Sequence, residues 1–318
     1  MIRMPGESHQ GPLPPLTEEV RALERELRAH VDMLAGDIGE RNLFHYDKLV
    51  TAADYIRTML SRSGYEVHGQ AYEVSGKVCE NLEAEIVGAD RPDEIVVLGA
   101  HYDSVMGSPG ANDNATGVAA LLALARAFSE RQPSRTLRFL AFVNEEPPFF
   151  QTPRMGSWVY AKRSRQRGEQ IVAMLSLETI GYYSDDPGSQ SYPFPFSLVY
   201  PSTANFIAFV GNVKAGSLVR QVVGDFRRHA RFPSEGGALL GFIPGVGWSD
   251  HWAFWREGFP AMMVTDTALF RYPAYHLSSD TPEKVQYGRM ARMLSGLEQV
   301  ISELANPPTN RSLENTGR

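Results

Sequence analysis

The sequence predicts an α/β fold in which one β-sheet is covered on both faces by helices. Short apolar runs rich in β-branched and aromatic residues, at 95–98, 136–143 and 171–177, have the length and composition of buried strands. The segments between them carry apolar residues at helical spacing. Strands that alternate with helical segments along a chain are typical of α/β domains. With 318 residues, the chain is long enough to bury a substantial core.

The composition divides the chain into an N-terminal arm, one domain and a tail. Residues 1–15 contain repeated prolines, which disfavour both helix and strand, so we expect a mobile arm. Residues 16–306 hold all the periodic segments and are predicted to form a single domain. Residues 307–318 are the predicted C-terminal tail.

The domain is predicted to begin with two amphipathic helices and a β-hairpin. The first helix starts at Thr17 and presents an apolar stripe made of Val20, Leu23, Leu27, Val31 and Leu34. The second covers residues 46–61, and Gly64 stands where a C-terminal cap is expected. Strands at 65–74 and 78–87 are predicted to pair through a Ser-Gly turn at 75–76.

The rest of the domain is predicted to alternate strands and helices. Its further elements are strands at 95–98, 136–143, 171–177, 205–210 and 261–264 and helices from about Asn114, at 218–226 and at 289–304. By composition, residues 147–153 and 184–202 are loops. Such loops either shape substrate access or are surface insertions, and the sequence leaves both readings open.

Composition and charge exclude several classes of protein. Hydrophobic residues make up 43% and charged residues 21%, which are ordinary globular values. The net charge of -6 argues mildly against a nucleic-acid partner. Cys79 is the only cysteine, which excludes an intramolecular disulfide and a thiolate-rich zinc site, and its apolar surroundings predict a core residue.

The sequence also predicts a protein that does not enter a membrane. No stretch approaches the roughly 18 apolar residues that a membrane-spanning helix needs, and residues 1–8 lack the apolar segment of a signal peptide. We therefore expect a soluble, cytoplasmic protein, with a trimmed exported precursor as the alternative. The oligomeric state stays open.

Acidic residues and histidines stand just past the ends of several predicted strands. In chain order they are His101, Asp113, Glu145, Glu146, Glu178 and His276. In open α/β sheets, the loops past the carboxyl ends of the strands form the ligand crevice, so these side chains are predicted to converge. Several buried carboxylates in one crevice need cations to compensate them, and carboxylate and imidazole are ligands of zinc.

This inventory fits two metal ions that share one carboxylate. Asp113 is the predicted bridge. His101 and Glu178 complete one site, and Glu146 and His276 complete the other.

Two further acidic residues have predicted roles beside the metals. Glu145 is left over from the two ligand sets and adjoins a ligand, which is where a general base is needed. Asp103 lies two residues past His101 and is the predicted acceptor for the imidazole N–H that faces away from the metal.

Together these residues resemble peptidase family M28, the zinc-dependent aminopeptidases and carboxypeptidases. The resemblance covers roughly residues 20–305 and is carried by an ordered set of short motifs. They are His-Tyr-Asp-Ser at 101–104, Gly-Ala-Asn-Asp-Asn-Ala-Thr-Gly at 110–117, Asn-Glu-Glu at 144–146, Leu-Glu at 177–178, Ser-Asp-His at 249–251, and Tyr-His at 275–276 followed by Asp-Thr at 280–281.

The resemblance implies a three-layer sandwich of the phosphorylase/hydrolase type, with a mixed, mostly parallel sheet. Residues 16–306 would then be a single zinc-peptidase-like catalytic domain with two zinc ions and a peptide substrate. It implies the same five ligands, His101, Asp113, Glu146, Glu178 and His276, with Glu145 as the base.

Two positions depart from the family pattern. Many relatives have Asp where this chain has Glu178, so this ligand would reach its metal differently. The usual glycine after the glutamate pair is replaced by an insertion at 147–155, which is predicted to reshape the mouth of the pocket.

The expected reaction is removal of an N-terminal residue from a peptide. A free substrate amine suits an acidic pocket, and no arginine stands where it would clamp a C-terminal carboxylate. Tyr275 is expected to donate a hydrogen bond to the oxyanion, because it adjoins His276.

The alternatives to the peptidase are a glutaminyl cyclase and a non-catalytic binding domain. The fold also resembles glutaminyl cyclases, which would hold a single zinc through Asp113, Glu146 and His276 and use Asp250 as a catalytic acid. In that case Trp248, together with the tryptophans at 252 and 255, would line a pocket rather than pack in the core. A non-catalytic binding domain on the same fold is disfavoured because no ligand position has been lost.

Serine hydrolase and dinucleotide-binding motifs are incomplete. The segment 247–251 lacks the second glycine of a nucleophile elbow. The Gly-Val-Gly at 245–247 lacks the third glycine of a dinucleotide-binding loop.

Overall fold

A computed structural model describes residues 2–308, so most of the predicted tail lies outside the described residues. The eight strands are β1 (His68–Val74), β2 (Lys77–Ile86), β3 (Arg91–His101), β4 (Arg135–Phe142), β5 (Gln170–Glu178), β6 (Ile207–Asn212), β7 (Ser234–Leu239) and β8 (Ala261–Thr265). The α-helices within the same residues are α1 (Glu18–Val31), α2 (Tyr46–Arg62), α3 (Thr116–Phe128), α4 (Gly156–Gln166), α5 (Gly216–His229), α6 (His251–Arg256) and α7 (Tyr287–Ala305).

All eight strands form one mixed sheet in the order β1-β2-β4-β3-β5-β8-β6-β7. The centre, β4-β3-β5-β8, is parallel. The hairpin partners β1 and β2 are antiparallel, as predicted, and β6 runs antiparallel to β8. The predicted α/β class with a mixed, mostly parallel sheet is therefore confirmed.

Strand β3 shows why the sheet needs helices on both faces. Val96 and Leu98 belong to the large core cluster under the helices α1, α2, α3, α5 and α7, whereas Ile95 and Val97 belong to the cluster under α4 and α6. Successive side chains of a strand point to opposite faces, so a strand buried on both faces is a continuous apolar run. The central strands are therefore the ones that a single sequence reveals most clearly.

Some predicted boundaries and elements differ from the structure. The strand expected at 205–210 is Ile207–Asn212, and the last helix begins at Tyr287 rather than near Arg289. Strand β7 and helices α4 and α6 were not predicted. The sequence of β7, Ser-Glu-Gly-Gly-Ala-Leu, has weak strand propensity and depends on pairing with β6.

The N-terminal arm lies against α5 and β7. The backbone carbonyls of Arg3 and Gly6 accept hydrogen bonds from Arg220 and Arg227, and Ser8 accepts one from the backbone N–H of Ser234. These contacts give the arm a docking place, while its mobility stays a prediction.

Cys79 is buried in the core, as expected. Among residues 2–308, no helix combines the length and the apolar composition needed to cross a membrane.

Candidate metal centre

The candidate centre lies at the carboxyl ends of the parallel central strands. His101 is the last residue of β3 and Glu178 is the last residue of β5. Glu145 and Glu146 follow the end of β4, which lies beside β3. Because parallel neighbours end at the same edge of the sheet, these residues reach one crevice. The loops before α3 and after β8 supply the remaining two, Asp113 and His276.

Five of the six side chains form two groups that share Asp113. In one group, Nε2 of His101 lies 3.4 Å from Oδ1 of Asp113 and 3.3 Å from Oε2 of Glu178. In the other, Nε2 of His276 lies 3.1 Å from Oδ2 of Asp113 and 3.4 Å from Oε2 of Glu146. The potential ligand atoms of each group lie within 4.8 Å of one another. These are the two sets into which the sequence divided the predicted ligands.

Unpartnered atoms in the two groups fit metal binding. Nε2 of His101 and Oε1 of Glu146 are buried and have no hydrogen-bond partner among the described residues. A buried polar atom without a partner is costly, so both atoms are suited to a cation. Imidazole nitrogen and carboxylate oxygen are ligands that zinc accepts, and the donor set contains no thiolate. The residues present therefore fit zinc.

Glu145 belongs to neither of these groups but lies beside them. Its Oε2 is 3.8 Å from Nε2 of His101, and His101, Glu145 and Glu146 form a third close group. Burial, followed by the negative charges of Glu178 and Asp250, raises the pKa of Glu145 well above its ordinary value, while His101 opposes the rise. The raised pKa favours a carboxyl that can hold a proton.

The pKa values of several side chains in the centre are shifted in ways that affect metal binding. Burial opposes the charged form of His101, but the carboxylates of Glu178 and Glu145 raise its pKa well above the ordinary value. Burial also opposes the charge of Asp113, yet the neighbouring imidazoles of His101 and His276 hold its pKa well below the ordinary value. Because metal ligands must be deprotonated, cations and protons compete for this cluster.

Asp103 contacts both the glutamate pair and His101. Its two carboxylate oxygens accept hydrogen bonds from the backbone N–H groups of Glu145 and Glu146, each at 3.1 Å. Nδ1 of His101 lies 3.1 Å from the backbone oxygen of Asp103 and 3.5 Å from its carboxylate. The imidazole thus faces the carbonyl more closely than the carboxylate for which Asp103 was predicted.

Three supporting residues were not identified from the sequence. Asp280 accepts hydrogen bonds from the backbone N–H groups of Asn112 and Asp113, at 2.9 and 3.1 Å, and so holds the loop that carries the bridging carboxylate. Ser249 donates a hydrogen bond of 2.7 Å to Oε2 of Glu178. Arg41 is buried and donates to five backbone carbonyls, including that of Gly110. Asp280 and Ser249 lay within recognised motifs, but nothing local marks Arg41.

The backbone is left-handed at three residues that carry or adjoin the site. Asn144, Thr179 and His276 have φ values of 59°, 43° and 58°. Residues other than glycine seldom adopt this conformation, and its cost is usually found at functional sites. In this chain the three residues immediately precede Glu145, immediately follow Glu178 and include His276 itself.

Tyr275 adjoins both the metal centre and a cavity. Its ring stacks on His276 with centroids 3.9 Å apart, and it lines a cavity of about 120 Å³ that also reaches Glu178. The predicted loop 184–202 supplies part of the cavity wall. Gln151, from the insertion at 147–155, donates a hydrogen bond to the carbonyl of Gly247, which lies in sequence between the cavity-lining residues Val246 and Trp248. Both loops thus contribute to the surroundings of the site.

Asp250 and the three tryptophans named for the cyclase alternative lie in different surroundings. Asp250 is buried, and neither of its carboxylate oxygens has a hydrogen-bond partner among residues 2–308. Burial raises its pKa to about 7. Trp248 lines the cavity, whereas Trp252 and Trp255 pack against the core under α4 and α6.

Comparison with solved structures supports the fold. A zinc aminopeptidase from Bacillus subtilis superposes with a TM-score of 0.70 at 14% identity, covering 89% of this chain and 95% of that one. A glutaminyl cyclase from Bacteroides thetaiotaomicron superposes with a TM-score of 0.67 at 17% identity, covering 90% and 98%. At these identities the similarity shows a common fold, and it does not separate the two activities.

Comparison with known sequences identifies the family. The chain is 38% identical to the uncharacterized protein YfbL of Escherichia coli strain K12 over 285 residues, which cover 87% of each chain. It spans roughly half the length of fungal probable zinc metalloproteases that it also matches. The model of peptidase family M28 matches residues 81–301, which include every predicted ligand. The predicted class of zinc metallo-exopeptidase is confirmed at this level, and the chain belongs to peptidase family M28.

Proposed function

We propose that this chain is a zinc-dependent aminopeptidase that removes N-terminal residues from peptides with the help of two metal ions. The observation that carries the proposal is the division of the site into two ligand groups around Asp113, with Glu145 beside them. A single metal would need only one of these groups. The other, including the buried Nε2 of His101, would then be left without a partner.

In this proposal, His101, Asp113 and Glu178 hold one zinc ion, and Asp113, Glu146 and His276 hold the other. When bound, the zinc ions would supply a Lewis acid for the substrate carbonyl and a water molecule of lowered pKa. All other parts of the reaction fall to the protein.

Glu145 is the proposed general base. It removes a proton from the attacking water and later transfers that proton to the leaving amine. Burial raises its pKa, which suits a carboxyl that accepts and releases a proton in one cycle. The carboxylate of Asp103 fixes the backbone of Glu145 during this transfer, because it accepts the N–H of that residue.

Tyr275 is the proposed donor to the oxyanion. Its ring is stacked on His276 and borders the cavity, so Tyr275 lies beside both a predicted metal ligand and the space that a substrate could enter. Burial, followed by the nearby carboxylates, raises the pKa of Tyr275, so the phenol keeps its proton and can donate it.

The surroundings of the site favour an aminopeptidase over a carboxypeptidase. A carboxypeptidase needs a free cation that clamps the C-terminal carboxylate of its substrate. Arg41 lies in the field of the carboxylates of the site, but it already donates to backbone carbonyls and is not free to clamp a substrate.

A glutaminyl cyclase-like acyltransferase with one zinc ion is the second candidate. It is favoured by Asp250, a buried carboxyl whose pKa is raised to about 7 and which could move a proton. The group formed by Asp113, Glu146 and His276 would suffice for that zinc ion. This candidate leaves the group around His101 and Glu178 without a use, so we rank it second.

The test is mass spectrometry of short peptides after incubation with zinc-loaded protein and with chelator-treated protein. The set contains one peptide that begins with Gln, together with an N-acetylated copy of each peptide. Zinc-dependent loss of whole N-terminal residues, with the acetylated copies intact, is the expected result. Loss of ammonia alone from the Gln peptide would establish the cyclase instead. Shortening of acetylated peptides from the C-terminus would establish a carboxypeptidase.

A further inference from the structure

One cavity extends from the metal centre across the face of the sheet to its far edge. Its floor follows a row of residues paired across four neighbouring strands. Glu178 of β5 pairs with Thr265 of β8, Thr265 with Ala208 of β6, and Ala208 with Glu235 of β7. All four line the cavity. The row therefore begins at a predicted metal ligand and ends at a second carboxylate.

The walls between these two carboxylates are mainly aromatic and aliphatic. Tyr192, Phe196 and Tyr200 come from the loop 184–202, and Trp248 and Phe270 come from other loops. Such walls suit an apolar chain, and aromatic faces also attract a cation.

Glu235 points into the cavity because of the alternation along β7. A Cβ added at Gly236 would meet Val223 of α5 at 2.7 Å, so this position faces the helix. A Cβ added at Gly237 would meet the hydroxyl of Tyr200 at 3.0 Å, so that position faces the cavity. Glu235 lies on the same face as Gly237, since side chains alternate along a strand.

The carboxylate of Glu235 lacks a close partner. Its side chain is 25% exposed, and it accepts no hydrogen bond within the described part of the chain. Among residues 2–308, the cation that lies near it is Arg227, at 4.0 Å, and that guanidinium already donates to Ser234, Pro5 and Gly6. Burial raises the pKa of Glu235, and Arg227 opposes the rise only in part. A substrate cation would therefore find an acceptor there.

We propose that this cavity receives the side chain of the N-terminal substrate residue and selects long basic side chains, lysine and arginine, through Glu235. The inference rests on the proposed aminopeptidase function and names its substrate class. A basic side chain combines an apolar stem with a cationic end, which matches apolar walls that lead to a carboxylate.

The dimensions of the row agree with this assignment. Three strand spacings separate the Cα atoms of Glu178 and Glu235, a distance of about 14 Å. An extended lysine side chain places its nitrogen about 6 Å from its own Cα, and the side chain of Glu235 spans part of the remainder. A direct or water-mediated ion pair at the far end is thus within reach.

The test compares substrates that differ in charge at nearly constant shape. Lysyl, norleucyl, arginyl, citrullinyl and leucyl amides of a fluorogenic amine are assayed with zinc-loaded wild type and with Glu235→Gln. We expect wild type to prefer lysyl over norleucyl and arginyl over citrullinyl substrates by at least about tenfold in kcat/KM. Glu235→Gln is expected to remove most of that preference and to change leucyl hydrolysis less than about twofold.

Glu73→Gln is the matched control, since it makes the same change at an exposed glutamate on the opposite edge strand, β1. It should keep the wild-type preference. Titration calorimetry with L-lysinol and L-norleucinol gives a readout without turnover, and only wild type and Glu73→Gln should favour lysinol.

Hydrolysis of leucyl or norleucyl substrates without a basic preference, or an unchanged preference in Glu235→Gln, would overturn the inference and leave the aminopeptidase proposal in place. Failure of the zinc-loaded wild type to hydrolyse any of the five substrates would overturn both.

Discussion

At the scale of single residues, Glu145 and Glu146 show how adjacent identical side chains take different positions. Glu146 faces His276 at 3.4 Å and joins the group around Asp113, whereas Glu145 faces His101 at 3.8 Å. One carboxylate, that of Asp103, accepts both backbone N–H groups and so fixes the direction of the pair. The left-handed Asn144 turns the chain immediately before them. The two glutamates therefore diverge through backbone geometry.

The first prediction concerns Glu145→Gln. The amide keeps the size of the side chain but cannot accept a proton, so kcat should fall by at least about 10². Zinc content should stay at the wild-type level, because Glu145 lies outside the two groups that share Asp113. Steady-state kinetics and elemental analysis of the same preparation measure both quantities.

Glu73→Gln serves as the control for the substitution itself, since Glu73 is exposed and distant in the sheet order. Near-wild-type turnover in Glu145→Gln would remove this residue from the role of base. Loss of zinc together with activity would instead assign it to the third close group, with His101 and Glu146.

At the scale of elements, α3 packs closely against the end of β5. Helix α3 follows the loop that carries Asp113, and β5 ends at Glu178. Gly117 lies in the first turn of α3, and a Cβ there would meet the carbonyl oxygen of Leu177 at 2.3 Å. The same Cβ would meet Oδ1 of Asn114 at 2.4 Å, and that oxygen accepts hydrogen bonds from Gly117 and Thr179. Glycine at this position permits the helix to contact the strand beside the site.

The second prediction is that Gly117→Ala destabilises the protein by about 2 kcal/mol or more, because overpacking displaces backbone that cannot yield easily. Gly288→Ala in the first turn of α7 is the matched control. Its Cβ would meet no atom closer than 3.7 Å, so alanine should change the stability by less than about 1 kcal/mol in that helix. Urea denaturation gives the free energy of unfolding of each variant. Equal stabilities of the two variants would refute the packing argument.

The elements that the sequence revealed are those whose own composition determines them. The runs that became β3, β4 and β5 are apolar because they are buried on both faces, and their ends predicted where His101 and Glu178 would stand. Strand β7 stayed hidden because a Gly-Gly pair has little strand propensity of its own. Glu235 was missed with it, since its neighbours in the cavity come from β6 and from distant loops.

The sequence predicted which side chains converge at the candidate site, and it predicted less well which residues support them. Zinc binding restricts residue type to cysteine, histidine and carboxylate, of which this chain offers mainly the last two, and such residues at strand ends are visible in one sequence. The residues that hold them make hydrogen bonds to backbone groups far along the chain, such as Asp280 to Asn112 and Arg41 to Gly110. Almost every residue type has the same backbone N–H and C=O groups, so the backbone partner of a side chain could not be inferred from the sequence.

At the scale of the whole molecule, the candidate centre joins parts of the chain that are far apart in sequence. His101 ends one strand of the sheet, and His276 lies in a loop after β8 that Asp280 ties to the loop of Asp113. A ligand that binds only the folded chain stabilises it by mass action. Zinc should therefore stabilise the entire domain rather than one loop.

The third prediction is a zinc-dependent rise in Tm that grows with pH. At a zinc concentration about 1,000 times the dissociation constant, the stabilisation is about 4 kcal/mol, equivalent to a rise in Tm of roughly 6 °C for a chain of this length. Differential scanning calorimetry of zinc-loaded and chelator-treated protein at about pH 6 and about pH 8 measures the difference. Asp113→Ala should lose it at both pH values, because this carboxylate belongs to both groups.

The direction of the pH effect follows from His101. Its pKa in the folded chain is raised above the unfolded value, since the carboxylates of Glu178 and Glu145 outweigh the effect of burial. In zinc-free protein, the resulting stabilisation is complete below the unfolded pKa and is lost as the pH rises through the folded pKa. Zinc binding needs the neutral imidazole, so the affinity for zinc rises over the same interval. As the pH rises, the zinc-free protein loses stability while the affinity for zinc increases. The difference in Tm between the two forms is therefore expected to be larger at the higher pH. A difference that shrinks from about pH 6 to about pH 8 would show that His101 is not a ligand.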